Sequence, residues 1–492
     1  MTHTSSPAPP EIRVTTRRRA VPPSATLPVY QAVAHRFGRE HVYLLESTAG
    51  PDRDRKYQFV GFNDLLSLSV SDGTVQVEGA PALREAVLRR ITPLLDDNNG
   101  TLRLPRLPDL WTLLREVHAL FDAEGSAVRF RFGFLGYFGY DTIRYVEDLP
   151  HLIDGRPDLP DVHLVLYQGS VVTDLDSGES ELLLHESDHW AALDEDEIAT
   201  LLARAETDHP EPVPGPVPPT DTSFDTEAAD YRLNVERALK HIAVGDVYQV
   251  QLGHELSMRS TADPLEVYQR MRTGNASPYM YLASVWGQSI VGASPELFVR
   301  VEDGTVTMRP IAGTVPRTGD DEAAGARLLA DEKEIAEHIM LVDLCRNDIG
   351  RICQADSLRV PDELVVERYS HVLHLVSTVQ GEAEPDRDTY DIISALFPAG
   401  TMTGTPKIRA MEIIEEIEDT RRGLYAGAMG LIDVGGYTNL ALCIRTLFHH
   451  DGVYRTRASA GVVADSVPDR EWTETLAKMN AAYWAVTGKE LL

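Results

Sequence analysis

Apolar residues along this 492-residue chain follow two periods, one of about two residues and one of about 3.6. Short runs rich in β-branched and aromatic residues and bounded by Gly/Asp turns predict strands. They are VYLLES (42–47), YQFVGF (57–62), SVSDGTVQVEG (69–79), GFLGYFGYDTIRYV (133–146), VHLVLYQGSVVTDL (162–175) and ESELLLHES (179–187). RLPDLWTLLREVHALFD (106–122) predicts a helix, and YRLNVERALKHIAVGDVYQVQLGHELSM (231–258) a helix feeding a strand. No βαβ rhythm and no fixed-period repeat emerges, so the expected fold class is α+β. The stretch 206–225, ETDHPEPVPGPVPPTDTSFD, is too rich in proline and acid to pack and reads as a linker. The expected organisation is a flexible tail over 1–26, an N-terminal region over 27–205, this linker, and a catalytic region over 226–492.

Charge narrows the partners. Acidic residues number 76 and basic residues 46, a net charge of −30 with histidine neutral. Such a surface repels phosphate backbones and anionic lipid, which disfavours nucleic-acid and membrane binding. Cys345, Cys353 and Cys443 lack CxxC spacing, so neither a disulfide framework nor a zinc-thiolate site is expected, and the cytoplasm is the expected compartment. No apolar run reaches the roughly 18 residues of a membrane span. The Ser/Thr-rich start with Arg17, Arg18 and Arg19 reads as a polar terminus in preference to a transit peptide. There is no GxGxxG or GxxxxGK[ST] phosphate loop.

Two predicted helices carry paired acids. In 466–486, Trp472, Leu476, Met479, Tyr483 and Val486 form an apolar stripe, and Glu471, Glu474 and Lys478 form a second one away from it. In 331–352, Ile335, Ile339 and Val342 fall on one side and Glu334 and Glu337 on another. Most such acidic pairs are solvated surface. If the two faces met, four carboxylates would need a divalent cation, and oxygen-only ligands favour Mg²⁺. Spacing alone does not say whether they meet.

The motifs resemble those of the large, chorismate-converting subunit of anthranilate synthase, among the chorismate-utilising enzymes. They run in order through the second half: RPIAGT (309–314), DEKEIAEHIMLVDLCRND (331–348), ERYSHVLHLVS (367–377), FPAGTMTGTPKIRAMEII (397–414), RGLYAGAMG, LCIRT, ASAG and DREWTETLAK ending at Lys478. LLES (44–47) and GFLGYFGYD (133–141) extend the likeness to the first half. The resemblance implies two large antiparallel sheets packed as a sandwich with flanking helices and a cleft between them. It implies that Glu337 and Glu474 ligate Mg²⁺ at the ring carboxylate of chorismate, with Glu334 and Glu471 just behind. Arg445 would grip the enolpyruvyl carboxylate and Lys478 would hold the ring carboxylate, with Gly313, Thr314, Thr401, Tyr425, Ser459, Ala460 and Gly461 as further substrate contacts. Glu296 in GASPELF corresponds to the general acid that protonates the departing C4 hydroxyl. A carboxyl of ordinary pKa, about 4.3, is ionised at neutral pH, so the site must raise it. His374 matches the active-site histidine, with His371 the second choice.

Two positions separate the reactions of this family. Relatives that use water carry a lysine base where Gln249 stands, and relatives that make 4-amino-4-deoxychorismate carry a nucleophilic lysine where Ala312 stands. Both absences point to ammonia attack at C2, followed by pyruvate loss to anthranilate as in tryptophan biosynthesis. The alternative is an enzyme that stops at 2-amino-2-deoxyisochorismate; less favoured are an aminodeoxychorismate synthase and a silent, partner-binding homologue. No cysteine lies in a glycine-rich nucleophile turn, which implies a separate glutamine amidotransferase subunit as ammonia source and a hetero-oligomer. Glu46, Ser47, Pro278, Tyr279 and Met280 match a tryptophan feedback pocket. Ala276, where the family reads NPSPYM, and Thr403 and Thr405, where it reads GTxSGAPK, depart from the pattern.

Overall fold

The computed structural model describes residues 9–23, 25–155, 157–205, 213–317 and 319–492. Residues 1–8 of the expected tail and 206–212 of the expected linker lie outside that range. The strands form a large, almost wholly antiparallel sheet system that closes on itself, with helices against its outer faces. The single parallel pairing among the described residues joins Ile12–Arg13 to Phe121–Asp122. The stretch expected as a loose tail therefore contains Ile12–Arg13 and the strand Thr15–Val21, the latter paired antiparallel with Ser180–Glu186. Likewise Asp221–Phe224, at the end of the expected linker, is a strand on Met258 and its neighbours.

Period-two alternation decides what each strand buries. In Gly133–Phe138, Leu135 and Tyr137 point into the interior between the sheet faces, while Phe134 and Phe138 point outward to the helices. Val165 and Tyr167 of Val162–Asp174, and Met429 and Leu431 of Ala428–Asp433, join the inner group. The run expected as strand over 133–146 stops at Phe138 and continues as a 3₁₀ turn, Tyr140–Tyr145. Strands of the two halves are neighbours: Val42–Glu46 pairs with Tyr279–Val285, and Gly133–Phe138 with Ala428–Asp433. The halves thus share one sheet system.

Glycines leave room for aromatic rings across the strands. A Cβ on Gly61 would lie 1.9 Å from the Tyr43 ring, and one on Gly292 2.1 Å from the Tyr281 ring; each glycine is the direct partner of that tyrosine. Tyr281 is also fixed by a 2.6 Å hydrogen bond between its hydroxyl and Thr446.

Both acid-bearing helices form. Glu332–Ile349 is capped by Asp331, whose carboxylate accepts from the amides of Lys333 and Glu334 at 3.0 and 3.3 Å. Pro468–Thr487 has proline at its first turn and ends at Gly488, in the left-handed region at φ 70°. Their buried faces are rotated from the expected stripes. Ile339 is 43% exposed, and His338, Leu341, Val342 and Cys345 face the core instead. In the last helix Met479 and Val486 are buried as expected, but Trp472, Leu476 and Tyr483 are only partly covered, and Glu471 and Thr475 lie inside. His338 and Thr475 are accommodated because each meets a polar partner at 2.7 Å, Ser377 and His254 respectively.

Replacing Gly292 by Ala is expected to expel the Tyr281 ring and break its bond to Thr446. Overpacking of this kind costs about 1–3 kcal/mol, read as a lower thermal midpoint, and a midpoint equal to wild type would contradict it.

Candidate active site

One ladder forms the floor of the site. Strand Gln249–Arg259 pairs antiparallel with Val453–Val462, in a register that sets Gln251 opposite Gly461 and Gly253 opposite Ser459. Alternation puts Gln249, Gln251, Ser459 and Gly461 on the face toward the cleft. Ala460, opposite Leu252 and fully buried, turns its side chain the other way, so the expectation of a substrate contact survives only for its backbone. A Cβ on Gly461 would stand 2.6 Å from Gln249 Nε2 and 3.0 Å from Gln251 Nε2, so a side chain there would push the two amides aside.

At one end of this floor stand the acids. Gln249 Nε2 donates toward Glu337 Oε1 at 3.5 Å, and Glu334 Oε2 lies 3.2 Å from where a Cβ on Gly313 would be. Burial pushes the Glu334 and Glu337 carboxyls upward, and Glu474 of the last helix adds its negative charge to both. Burial raises Glu471 too, again with Glu474 contributing. The two helices thus face each other, which spacing could not decide. No three carboxylates among the described residues close into a metal cage. Glu474 instead contacts Lys478 Nζ at 2.5 Å, and that ammonium also donates to the Ser459 carbonyl at 2.9 Å. Three carboxyls raised by burial and by the neighbouring Glu474 charge make a set of oxygen donors that suits a hard divalent cation.

Glu296 lies across the cleft in the turn between Gln288–Ser294 and Leu297–Glu302. Burial lifts its carboxyl to about 8, against the weaker opposing effects of a 3.1 Å hydrogen bond from Thr401 Oγ1 and of the Lys478 and Arg445 cations. A glutamic acid in this setting keeps its proton at neutral pH. Arg445 sits at φ 50°, a strained backbone for a non-glycine residue, and its guanidinium has no hydrogen-bond or ion-pair partner among the described residues. Burial lowers its proton affinity, and Tyr425, Glu474 and Glu296 counter this electrostatically. A partly buried, uncommitted guanidinium is a receptor for a carboxylate.

His374 completes the wall. Burial takes its imidazole down to about 4, so it is neutral at pH 7. Its Nδ1 lies 3.2 Å from the Gly313 carbonyl and 3.0 Å from Thr314 Oγ1. A carbonyl only accepts, so Nδ1 carries the hydrogen and Nε2 keeps its lone pair. His371 is exposed and bonds the Gly274 carbonyl at 2.8 Å, away from the cleft. Tyr425 joins from below through a 2.6 Å bond to Ser459 Oγ. The sequence reading missed Gln251. Period two, applied from Gln249, was the signal that could have found it.

Several motif residues prove structural. Lys407 holds Asp348 at 2.7 Å, tying TPK to RND, and Arg309 bridges Asp54 and Glu367, tying RPIAGT to ERYSH. The five feedback candidates line one separate cavity of about 50 Å³. In it Glu46, 2% exposed, already accepts from Arg272 at 2.9 and 3.1 Å and from the Tyr268 hydroxyl at 2.5 Å, and Ser47 donates to the Pro278 carbonyl at 2.7 Å.

Known proteins share this arrangement of sequence and fold. The family described as chorismate binding enzyme matches residues 86–483. The 2-amino-4-deoxychorismate synthase of Streptomyces globisporus is 66% identical over 483 residues, covering 98% of each chain. Anthranilate synthase component 1 of Acinetobacter calcoaceticus is 36% identical over 90% of this chain and 89% of its own. The crystal structure of anthranilate synthase component I from Streptococcus pneumoniae TIGR4 superposes with a TM-score of 0.70 at 30% identity, covering 87% of this chain and 92% of that one.

Because folding holds Glu296 protonated, ionising it opposes folding: its contribution is fully present below about pH 4.5 and is lost as pH rises through about 8. Glu296→Gln is therefore expected to melt higher than wild type at pH 8.5, by at least ~2 °C, with the gap closing as pH falls. A gap independent of pH would contradict the assignment.

Proposed function

The chain belongs to the chorismate-binding enzymes, and we propose that it aminates chorismate at C2 with ammonia, expels the C4 hydroxyl as water, and releases the product with its enolpyruvyl group attached. Ammonia forms the N–C2 bond, the C1–C2 and C5–C6 π electrons shift round the ring, and the C4–O bond breaks. Hydroxide is a poor leaving group, so the proton kept on Glu296 is the feature on which the reading rests; a placed acid typically contributes about 10²–10⁴-fold. Thr401 orients this carboxyl by donating to Oε1, which leaves the other oxygen to carry the proton.

Arg445 would take the enolpyruvyl carboxylate in a two-pronged contact. Lys478, Thr314, Tyr425 and the backbone of Gly313, Ala460 and Gly461 would surround the ligand. His374, neutral, would add its Nε2 side without adding charge. Glu337 and Glu474, with Glu334 and Glu471 behind them, would hold a Mg²⁺ ion. When bound, that ion neutralises the ring carboxylate and stabilises negative density moving toward it. Gln249 cannot deprotonate water, and Ala312 cannot attack a ring carbon, which favours external ammonia as nucleophile. A separate glutamine amidotransferase would supply it, in keeping with a chain whose three cysteines are all buried.

The product is chosen on similarity. The 66% identical relative is a 2-amino-4-deoxychorismate synthase, a name for a product with an amine at C2 and without the C4 oxygen of chorismate. Atom for atom, that is the 2-amino-2-deoxyisochorismate weighed from the sequence as the stopping point. The second reading, completion to anthranilate and pyruvate, has the support of the 36% identical anthranilate synthase components. Tryptophan control belongs with that second reading. The Glu46 carboxylate is already committed to Arg272 and Tyr268, so an effector ammonium would have to displace them.

Incubation with chorismate, Mg²⁺ and ammonium is expected to accumulate an aminated, enolpyruvyl-bearing diene, identified by mass and NMR, without stoichiometric pyruvate. Fluorescent anthranilate with equal pyruvate would establish the second reading, and isochorismate or the 4-amino isomer would overturn C2 amination. Glu296→Gln is expected to lower kcat by about 10²–10⁴-fold. Glu474→Gln is expected to abolish Mg²⁺-dependent turnover, and an unchanged Mg²⁺ titration would remove these carboxylates as ligands.

A further inference from the structure

One polar side chain outside the recognised motifs faces the cleft with its amide oxygen engaged and its amide nitrogen free. Gln251 follows Gln249 by two residues, on the same strand face and about 7 Å further along. Its backbone is held on both sides: the amide donates to the Thr403 carbonyl at 2.8 Å, and its carbonyl accepts from Arg422 Nη2 at 2.8 Å. Its Oε1 accepts from Ser459 Oγ at 2.9 Å. Ser459 spends its one proton there, so Tyr425 is the donor in the 2.6 Å contact between the two hydroxyls.

That relay fixes the amide. With Oε1 turned to Ser459, Nε2 turns to the cleft, 3.0 Å from where a Cβ on Gly461 would stand, and has no partner among the described residues. Gln249 lies beside Glu337, at the end of the ring carboxylate. Gln251 lies toward Tyr425, to which Ser459 links it, and Tyr425 neighbours Arg445. The free donor therefore belongs to the end of the cleft where the side-chain carboxylate of the substrate would lie.

We propose that Gln251 is a specificity-determining residue whose Nε2 donates to the enolpyruvyl group held by Arg445, so that the cleft distinguishes ligands bearing this side chain from simple ring carboxylates. The inference rests on the reading of the cleft as a chorismate site. A neutral donor strengthens the grip on a carboxylate without adding a cation that would push the proton off Glu296. Gln251→Leu removes the donor at similar volume. Gln251→Glu keeps the acceptor for Ser459 and turns a negative charge toward an anionic substrate.

The test measures steady-state kinetics for chorismate at saturating ammonium, inhibition by benzoate, which has a ring carboxylate and no enolpyruvyl group, and thermal melting. Gln251→Leu is expected to raise the chorismate KM about tenfold, with the change in KM and little in kcat, and to leave benzoate inhibition unchanged. Gln251→Glu is expected to weaken chorismate further. An unchanged KM in Gln251→Leu, equal losses for chorismate and benzoate, or wild-type affinity in Gln251→Glu would each overturn the proposal. Should Gln251→Leu melt low, the chorismate-to-benzoate affinity ratio of Gln251→Glu decides it. Should the wild type bind chorismate without turnover, the proposed reaction fails while that ratio, by calorimetry, still reads Gln251.

Discussion

The ladder between Gln249–Arg259 and Val453–Val462 is the constraint on which the site depends. Its register sets Gln251 opposite Gly461 and Gly253 opposite Ser459, and a one-residue slip of either strand would turn that strand's cleft-facing residues away. The same ladder leads directly into the helix Pro468–Thr487, which carries Glu471, Glu474 and Lys478, and Lys478 returns to the Ser459 carbonyl. Backbone pairing thus places the acidic end and the amide floor in one rigid unit.

Burial then divides the chemistry. The same low-dielectric surroundings that keep a proton on Glu296 remove one from His374 and lower the proton affinity of Arg445. The cleft is therefore prepared for an anion before one arrives: an acid that holds its proton, an imidazole that is neutral, and cations at Arg445 and Lys478. Across the cleft, the carboxylates of two helices crowd one another, an arrangement that a divalent ion would relieve. Isolated buried charges cost folding energy, so such a site persists only where the surrounding sheet fixes it.

Chemically suggestive residues elsewhere turn out to be structural for the same reason. Lys407 with Asp348, and Arg309 with Asp54 and Glu367, are cations already paired with carboxylates. Arg445 differs because its guanidinium has no partner among the described residues. The availability of partners, which no motif records, separates a strut from a receptor. Glu46 stands on the structural side of that line, its two oxygens taken by Arg272 and Tyr268.

The sequence by itself determined the elements and the chemical identities: alternation located Val42–Glu46 and Val162–Asp174, and ordered motifs pointed to Glu296, Glu337, Glu474 and Arg445. Those properties are local, since side-chain period and residue type are written in the chain. Only the tertiary structure decided that Glu334 and Glu337 face Glu474, that Ile339 is exposed while His338 is buried, and that Ala460 turns from the cleft. It alone showed that Thr15–Val21 joins the large sheet and that Gln251 shares the floor with Gln249. Each of these depends on which surface covers which, a relation between segments hundreds of residues apart that no window of sequence contains.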